Sequence, residues 1–329
     1  MNIRREVSRH PHCTTDILER LSKDKDAKVR ATVASRSDCP LDLLCELSKD
    51  KEWSVRSSIA RNLATPSTIL SDLASDPHPS VRFEVARNPN TQVDVLVSLS
   101  RDTSIWVQRE VLKNERCPVE VLWSIFKDYD HGNLLDNQLR QAIASHPSCP
   151  KEILHELSFS SSLWVKFQVL ENKNCSRETL ALFKKDSNDR VRLRVASHLN
   201  CSTKVLEFLA RDKSIDVREA VLNNPNCPVS VLIDLSNDPS EEIRYLVAKH
   251  DKTPESIIRK LANDPEPEVR YLLTERSDCP VDVLEYLSKD EELEVRLNVA
   301  YHPHCPPHIL EELAAELRSI PVIKMFKVV

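Results

Sequence analysis

The sequence predicts an all-α solenoid of twelve two-helix repeats, and three observations predict it. A Val-Arg step recurs at a fixed interval along nearly the whole chain. Each interval holds two short apolar patterns of helical period. A single glycine among 329 residues leaves little provision for tight β-turns, and no glycine-rich loop to cradle a phosphate.

The interval is read from the first residue of each step. Val29, Val55, Val81, Val191, Val217, Val269 and Val295 are each followed by Arg, and Ile243-Arg244 is in register. Ile3-Arg4, Val107-Gln108, Leu139-Arg140 and Val165-Lys166 complete the series. Every spacing is 26 residues except one of 32, so twelve repeats with six extra residues account for 318 of the 329 positions. The expected organisation is one solenoid over 1–318, an insertion within 129–138 and an apolar tail over 319–329.

Within a repeat, the first helix is expected to start at an Asp such as Asp24, Asp76 or Asp290, a residue type that caps free N–H groups. At Asp76-Pro77, Asp238-Pro239 and Asp264-Pro265, proline would open that helix. Its buried stripe is spaced 0, +4 and +5, as in Val81, Val85 and Ala86. It should stop before Asn88-Pro89, His146-Pro147 or Asn224-Pro225, because a residue preceding proline resists helix. The second helix follows a Cys or Thr, then proline in eight of twelve repeats, with apolar residues spaced like Val231, Leu232 and Leu235. Helices of about nine residues are not stable alone in water, so stacking must supply their stability.

The remaining composition bounds function more than it names it. Hydrophobic content of 40%, charge of 29% and a net −5 describe a folded protein. No apolar run is long enough to span a bilayer, and MNIRREVSRH lacks the apolar core of a secretion signal; ten unpaired thiols fit a reducing cytoplasm, where the chain is expected. Nothing in the sequence names a substrate.

The repeat Val-Arg-x-x-Val-Ala-x-Asn-Pro-x-Cys/Thr-Pro-x-x-Val-Leu-x-x-Leu-Ala/Ser-x-Asp resembles the leucine-rich repeat variant family, a relative of HEAT and armadillo repeats. Asn88-Pro89-Asn90-Thr91 and Asn224-Pro225-Asn226-Cys227-Pro228 match its motif, and the resemblance covers residues 3 to about 318. It implies a right-handed ARM/HEAT-like superhelix of alternating helices, allows one helix of each pair the tighter 3₁₀ form, and implies no enzymatic activity. Repeats of 26 residues are slightly longer than that family's, and the N-terminal cysteine cluster known in it has no counterpart here.

Three columns carry tempting chemistry. Nine of ten cysteines share one position with Thr65, Thr91 and Thr253. Thr neither binds soft metals nor forms disulfides, so no metal or cofactor is implied. Cys and Thr share small size and a polar atom that can face free N–H groups of a helix start. Cys45, outside the column beside Leu44, is expected in the core. His10, His146, His198, His250 and His302 alternate with Asn62, Asn88, Asn114, Asn172 and Asn224 where the first helix ends, and a terminating role is expected from their tolerance of unusual backbone angles.

The third column is arginine: Arg4, Arg30, Arg56, Arg82, Arg140, Arg192, Arg218, Arg244, Arg270 and Arg296. If free, it forms a positive stripe able to track a nucleic-acid backbone. If paired with the aspartate that precedes it by six residues, it forms an ion-pair ladder between repeats. The net charge of −5 favours the ladder over a polyanion partner. Lys166 follows Ser160, the internal repeat that lacks Asp, although Gln108 still follows Asp102.

Departures from the repeat locate the candidate partner site. The insertion holds Tyr129, His131 and the sole glycine, Gly132. Around it Arg gives way to Gln108 and Lys166, and Trp106, Trp123 and Trp164 gather. Exposed tryptophans favour interface hot spots, whereas an insertion with packed tryptophans would be inexpensive drift. Two readings likewise stand for the tail, capping and dimerisation. The expected function is a non-enzymatic protein-binding scaffold, using a concave face and the insertion. Nucleic-acid binding through the arginine column is the alternative.

Overall fold

The computed structural model describes residues 3–130 and 137–317. They form twenty-four α-helices, from Ile3–Arg9 to Pro307–Leu317, with no strand among the described residues. First helices run seven to nine residues; second helices run seven, apart from the longer Val119–Asp130 and Pro307–Leu317. Successive first helices pack side by side, as Trp53–Arg61 does between Ala27–Ala34 and Pro79–Arg87. Second helices touch their own first helix and that of the following repeat, as Leu41–Leu47 does with Ala27–Ala34 and Trp53–Arg61. The packing resolves into two compact bodies that divide between Cys175 and Ser176. The tail 319–329 lies outside the described residues.

The apolar stripes fall where the period predicts. Val81, Val85 and Ala86 are fully buried, and so are Val55, Ile59 and Ala60 one repeat earlier. Val231, Leu232 and Leu235 are buried between the layers. Burying each such side chain contributes about 1.5–3 kcal/mol, which short isolated helices cannot supply for themselves. No helix among the described residues is 3₁₀; second helices close with i→i+4 bonds such as Leu44 N–H to the Pro40 carbonyl and Ser48 N–H to the Leu44 carbonyl.

Helix starts lie later than the aspartates suggest. His78 is the N-cap of Pro79–Arg87, and its ring accepts from Ser80 N–H; Ser104, Ser214 and Ser240 occupy the same place in their repeats. The aspartate two residues earlier shapes the turn instead: Asp76 Oδ1 accepts His78 N–H at 2.8 Å and Asp102 Oδ1 accepts Ser104 N–H at 2.8 Å. Proline opens a first helix at Pro79 and Pro267, not at Pro77, Pro239 or Pro265. Second helices start immediately after the column prolines. Pro40, Pro66, Pro150, Pro254 and Pro280 sit at the N-cap with φ near −60°, the value a pyrrolidine ring fixes.

Two side-chain ladders tie consecutive repeats together. In the first, an arginine forks onto the aspartate twenty residues ahead. Arg30 Nε and Nη2 donate to Asp50 at 2.6 and 2.8 Å, while Nη1 donates to the Asp24 carbonyl at 2.7 Å. Arg56–Asp76, Arg82–Asp102, Arg192–Asp212, Arg218–Asp238, Arg244–Asp264 and Arg270–Asp290 repeat this pattern. Arg4 forks onto the Asp24 carboxylate in the same way. Six residues back, therefore, it is the main-chain carbonyl that is bound. The carboxylate lies twenty residues forward.

The second ladder runs through the Asn/His column. Asn88 Nδ2 donates to the Ala60 and Asn62 carbonyls at 2.7 and 3.1 Å, and its Oδ1 accepts Asn90 N–H at 2.9 Å. Asn62, Asn114, Asn172 and Asn224 make the same bonds to the repeat before. Backbone there is ordinary extended chain, with φ −69° and ψ 127° at Asn88, so unusual angles are not the reason for Asn or His. The requirement is a donor that reaches back across a repeat boundary and an acceptor for the next turn. His302 meets it, with Nε2 on the Arg276 carbonyl at 2.8 Å and Nδ1 accepting His304 N–H. Arg36 and Arg276 meet the donor half of it, each reaching two carbonyls of the preceding repeat and steadied by Asp38 or Asp278.

These ties predict a distinctive response to substitution and to acid. Asp76→Asn keeps the turn acceptor but removes the carboxylate from a nearly buried arginine, and should cost about 3 kcal/mol in urea unfolding. A loss below about 1 kcal/mol would place Arg56–Asp76 with weak surface pairs. Burial raises the carboxyls of Asp50, Asp76, Asp102, Asp212 and Asp290, but their arginines and turn N–H groups outweigh it and leave them below the ordinary value. Burial lowers His146 and His250 from their ordinary 6.5. Both shifts favour the form present at pH 7 or above. Stability should therefore fall first as pH drops below about 6.5, and again below about 4. Measured urea midpoints should show both stages, and the combined His146→Asn and His250→Asn variant should flatten the first.

Candidate functional site

The mid-chain site is built on three adjacent first helices of one body: Ile105–Lys113, Asn137–Ser145 and Leu163–Glu171. Trp106 stands one residue before the buried Val107 and is 54% exposed. The Arg109 guanidinium, one turn on, lies 4.3 Å from its ring centroid and hydrogen-bonds Gln138 on the neighbouring helix. Trp164 holds the equivalent place before Val165 and is 67% exposed, edge-on to the buried Phe167 at 6.0 Å. Both indoles are thus held from beneath and open to solvent.

Other expected members behave differently. Gln108 is buried, and its Nε2 donates to the Asp102 carbonyl at 2.8 Å, taking over the backward contact of the arginine it replaces. It is part of the ladder rather than of a surface. Trp123 lies on the second helix Val119–Asp130, half-buried against Phe126, with the Lys127 ammonium 5.4 Å from its ring, so it does not share the first-helix layer with Trp106 and Trp164. Lys166 is half-buried. Tyr129 continues the second helix, so the insertion begins as helix rather than loop; His131 and Gly132 lie outside the described residues.

The arginine column does not present free cations over most of its length. Arg30, Arg56, Arg82, Arg192, Arg218, Arg244 and Arg270 each hold a carboxylate, with side chains mostly withdrawn from solvent, so the condition for tracking a phosphate backbone is not met there. Arg296 donates to the Asp290 and Glu291 carbonyls. Arg140 alone of the column makes no ion pair or hydrogen bond among the described residues.

A basic depression of about 520 Å³ in the second body was not visible in the sequence. Lys184, Lys185, Arg211 and Lys213 line it, and both Lys184 and Lys185 sit over the face of Phe208. Its residues come from two consecutive repeats; Lys185 and Arg211 stand 26 residues apart in one column, which also holds Lys23, Lys49, Arg101, Lys127 and Lys289.

The cysteines are structural. Thr65, Thr91 and Thr253 show what the column does: each hydroxyl donates to the carbonyl six residues back, in the last turn of the first helix. The polar atom faces a helix end, not the helix start that size and polarity suggested. Burial pushes the thiols of Cys117, Cys149, Cys175, Cys201 and Cys279 up to about 12, and those of Cys39 and Cys227 to about 11. Cys45 departs from expectation: it is exposed, because Leu43, Leu44 and Leu47 take the inward positions of its helix. In native protein at pH 8, a thiol-disulfide reagent should therefore modify Cys45 quickly. The seven buried thiols should react only in denaturant, a difference that mass spectrometry of labelled peptides would register.

Comparisons with known proteins agree with this reading of the repeat. Residues 293–315 match the family model described as leucine rich repeat variant. No curated protein matches the chain. Among solved structures, the chain is similar to a leucine-rich repeat variant with a repetitive structural motif, at 21% identity and a TM-score of 0.42, covering 77% of this chain and 87% of that one. It is also similar to a designed armadillo repeat protein at 16% identity and a TM-score of 0.18, covering 83% of this chain and 100% of that one. A further designed armadillo protein, solved with the peptide (KR)4, is similar at 16% identity and a TM-score of 0.14, covering 91% of this chain and 98% of that one. The stretch that matches the family model is one period of a pattern repeated in register twelve times. One period of this helical repeat, residues 293–315, is thus similar to the leucine rich repeat variant.

Proposed function

We propose that the protein is a non-enzymatic scaffold that binds a protein partner across its first-helix layer, centred on Trp106 and Trp164. The observation that carries this reading is the exposure of two indoles, 54% and 67%, on helices that both pack against Asn137–Ser145. Large aromatic groups standing in water on a rigid surface gain most when a partner desolvates them. The close packing of first helices against one another gives them a fixed platform, so little ordering is needed on binding. No helix among the described residues is long and apolar enough to cross a membrane. Cytoplasmic residence remains part of the proposal, supported by ten free thiols kept apart within the fold.

Trp106→Ala and Trp164→Ala should each weaken capture of a partner from native lysate by about tenfold or more, the range of an interface hot spot. Melting temperature should stay nearly unchanged, because each ring is already largely in solvent. Two variants that lose stability and still capture partner normally would show the tryptophans to be packing residues.

A further inference from the structure

Seven column arginines outside the N-terminal repeat show what this position is shaped to hold: a carboxylate gripped by Nε and Nη2 at 2.5–2.9 Å, twenty residues ahead. At Arg140 the residue twenty ahead is Ser160. Ser160 preserves half of the aspartate's work, since its Oγ accepts Ser162 N–H at 3.2 Å and so keeps the turn. The other half is missing. Ser160 is only 8% exposed and too short to supply the acceptor, and Arg140 makes no ion pair or hydrogen bond among the described residues. The carbonyls five and six residues before it fall outside the described residues. Arg140 lies on Asn137–Ser145, the helix flanked by those bearing Trp106 and Trp164.

We infer that Arg140 is an open rung of the ladder, filled from outside the chain by the carboxylate of an acidic side chain on the bound protein segment. This rests on the scaffold reading above and adds the charge of the partner at its centre. The fork selects a planar oxyanion, because two parallel N–H donors need two acceptor oxygens. A segment-borne carboxylate is favoured over a free one because Arg140 lies on the middle one of the three first helices that the bound segment covers in the scaffold reading. Along the column, Arg30, Arg56, Arg82, Arg192, Arg218, Arg244 and Arg270 are already held by their own aspartates, so none of these competes with Arg140 for the partner's carboxylate.

The test uses the full chain and a terminally blocked peptide of alternating leucine and glutamate, beside its glutamine counterpart and free acetate. Binding is read from tryptophan fluorescence and from the ¹⁵N–¹H signal of Arg140 Nε. The glutamate peptide should bind at least about tenfold more tightly than the glutamine peptide, as a charged hydrogen-bonded pair provides. Arg140→Gln should abolish that preference. Ser160→Asp, which fills the rung from within the chain, should abolish it as well and raise the melting temperature. Equal binding of the two peptides, or a preference that survives both substitutions, overturns the inference. Acetate moving the Nε signal at the same concentration as the peptide overturns the segment as source and leaves a free anion in its place. Capture of a lysate partner by Arg140→Gln at the normal level, with loss in the tryptophan variants, would refute the open rung while leaving the scaffold intact.

Discussion

The bidentate contact between an arginine and the aspartate twenty residues ahead governs how this chain can be built. A helix of seven to nine residues has most of its end groups unsatisfied and too little apolar face to compensate. Here the exposed ends of one repeat become partners of the next. One guanidinium closes two turns at once, binding the carbonyl of the turn behind and the carboxylate that shapes the turn in front. The asparagine column does the same at the opposite end of the first helix. Between these two rows the apolar residues need only be small and regular, which is why Val, Ala and Leu suffice and aromatics stay at 5%. Such ties are partly buried and hydrogen-bonded on every side, the condition under which an ion pair contributes to stability instead of costing desolvation.

Much of this was legible in the residues. Val81, Val85 and Ala86 announced a helix face, and the 26-residue interval announced stacking, because both follow from local period. The Arg–Asp pairing was legible as a pairing but not in its direction. The aspartate six residues back is near in sequence, yet its side chain is turned to the preceding repeat's arginine, and only coordinates reveal which of two neighbours a fork selects. The same ambiguity hid the true helix start, since an aspartate that closes a turn and one that caps a helix look alike in one dimension. Cys45 illustrates a finer limit. Leu43, Leu44 and Leu47 form the inward stripe of its helix, and Cys45 falls outside that stripe.

The candidate site was legible where it depends on broken rules and illegible where it depends on exposure. Trp106 and Trp164 were conspicuous because they interrupt a polar column, and solvent exposure then separates them from Trp123, which packs in the other layer. Gln108 broke the rule equally clearly but turned inward, since an amide can still serve the backward carbonyl. Ser160 pointed toward the wrong arginine while the pairing was read six residues apart. Once the span is twenty, its consequence moves from Lys166 to Arg140.

The asymmetric reach of the fork also sets an order of events during synthesis. An arginine can bind the carbonyl behind it as soon as its own helix emerges, but its carboxylate arrives only with the following second helix, twenty residues later. At each moment the growing chain thus carries one repeat whose cation is ungripped, at the leading edge of what has already folded. Every newly completed turn locks its predecessor and leaves itself unlocked. The polypeptide closes behind the ribosome in one direction, like teeth drawn together by a slider.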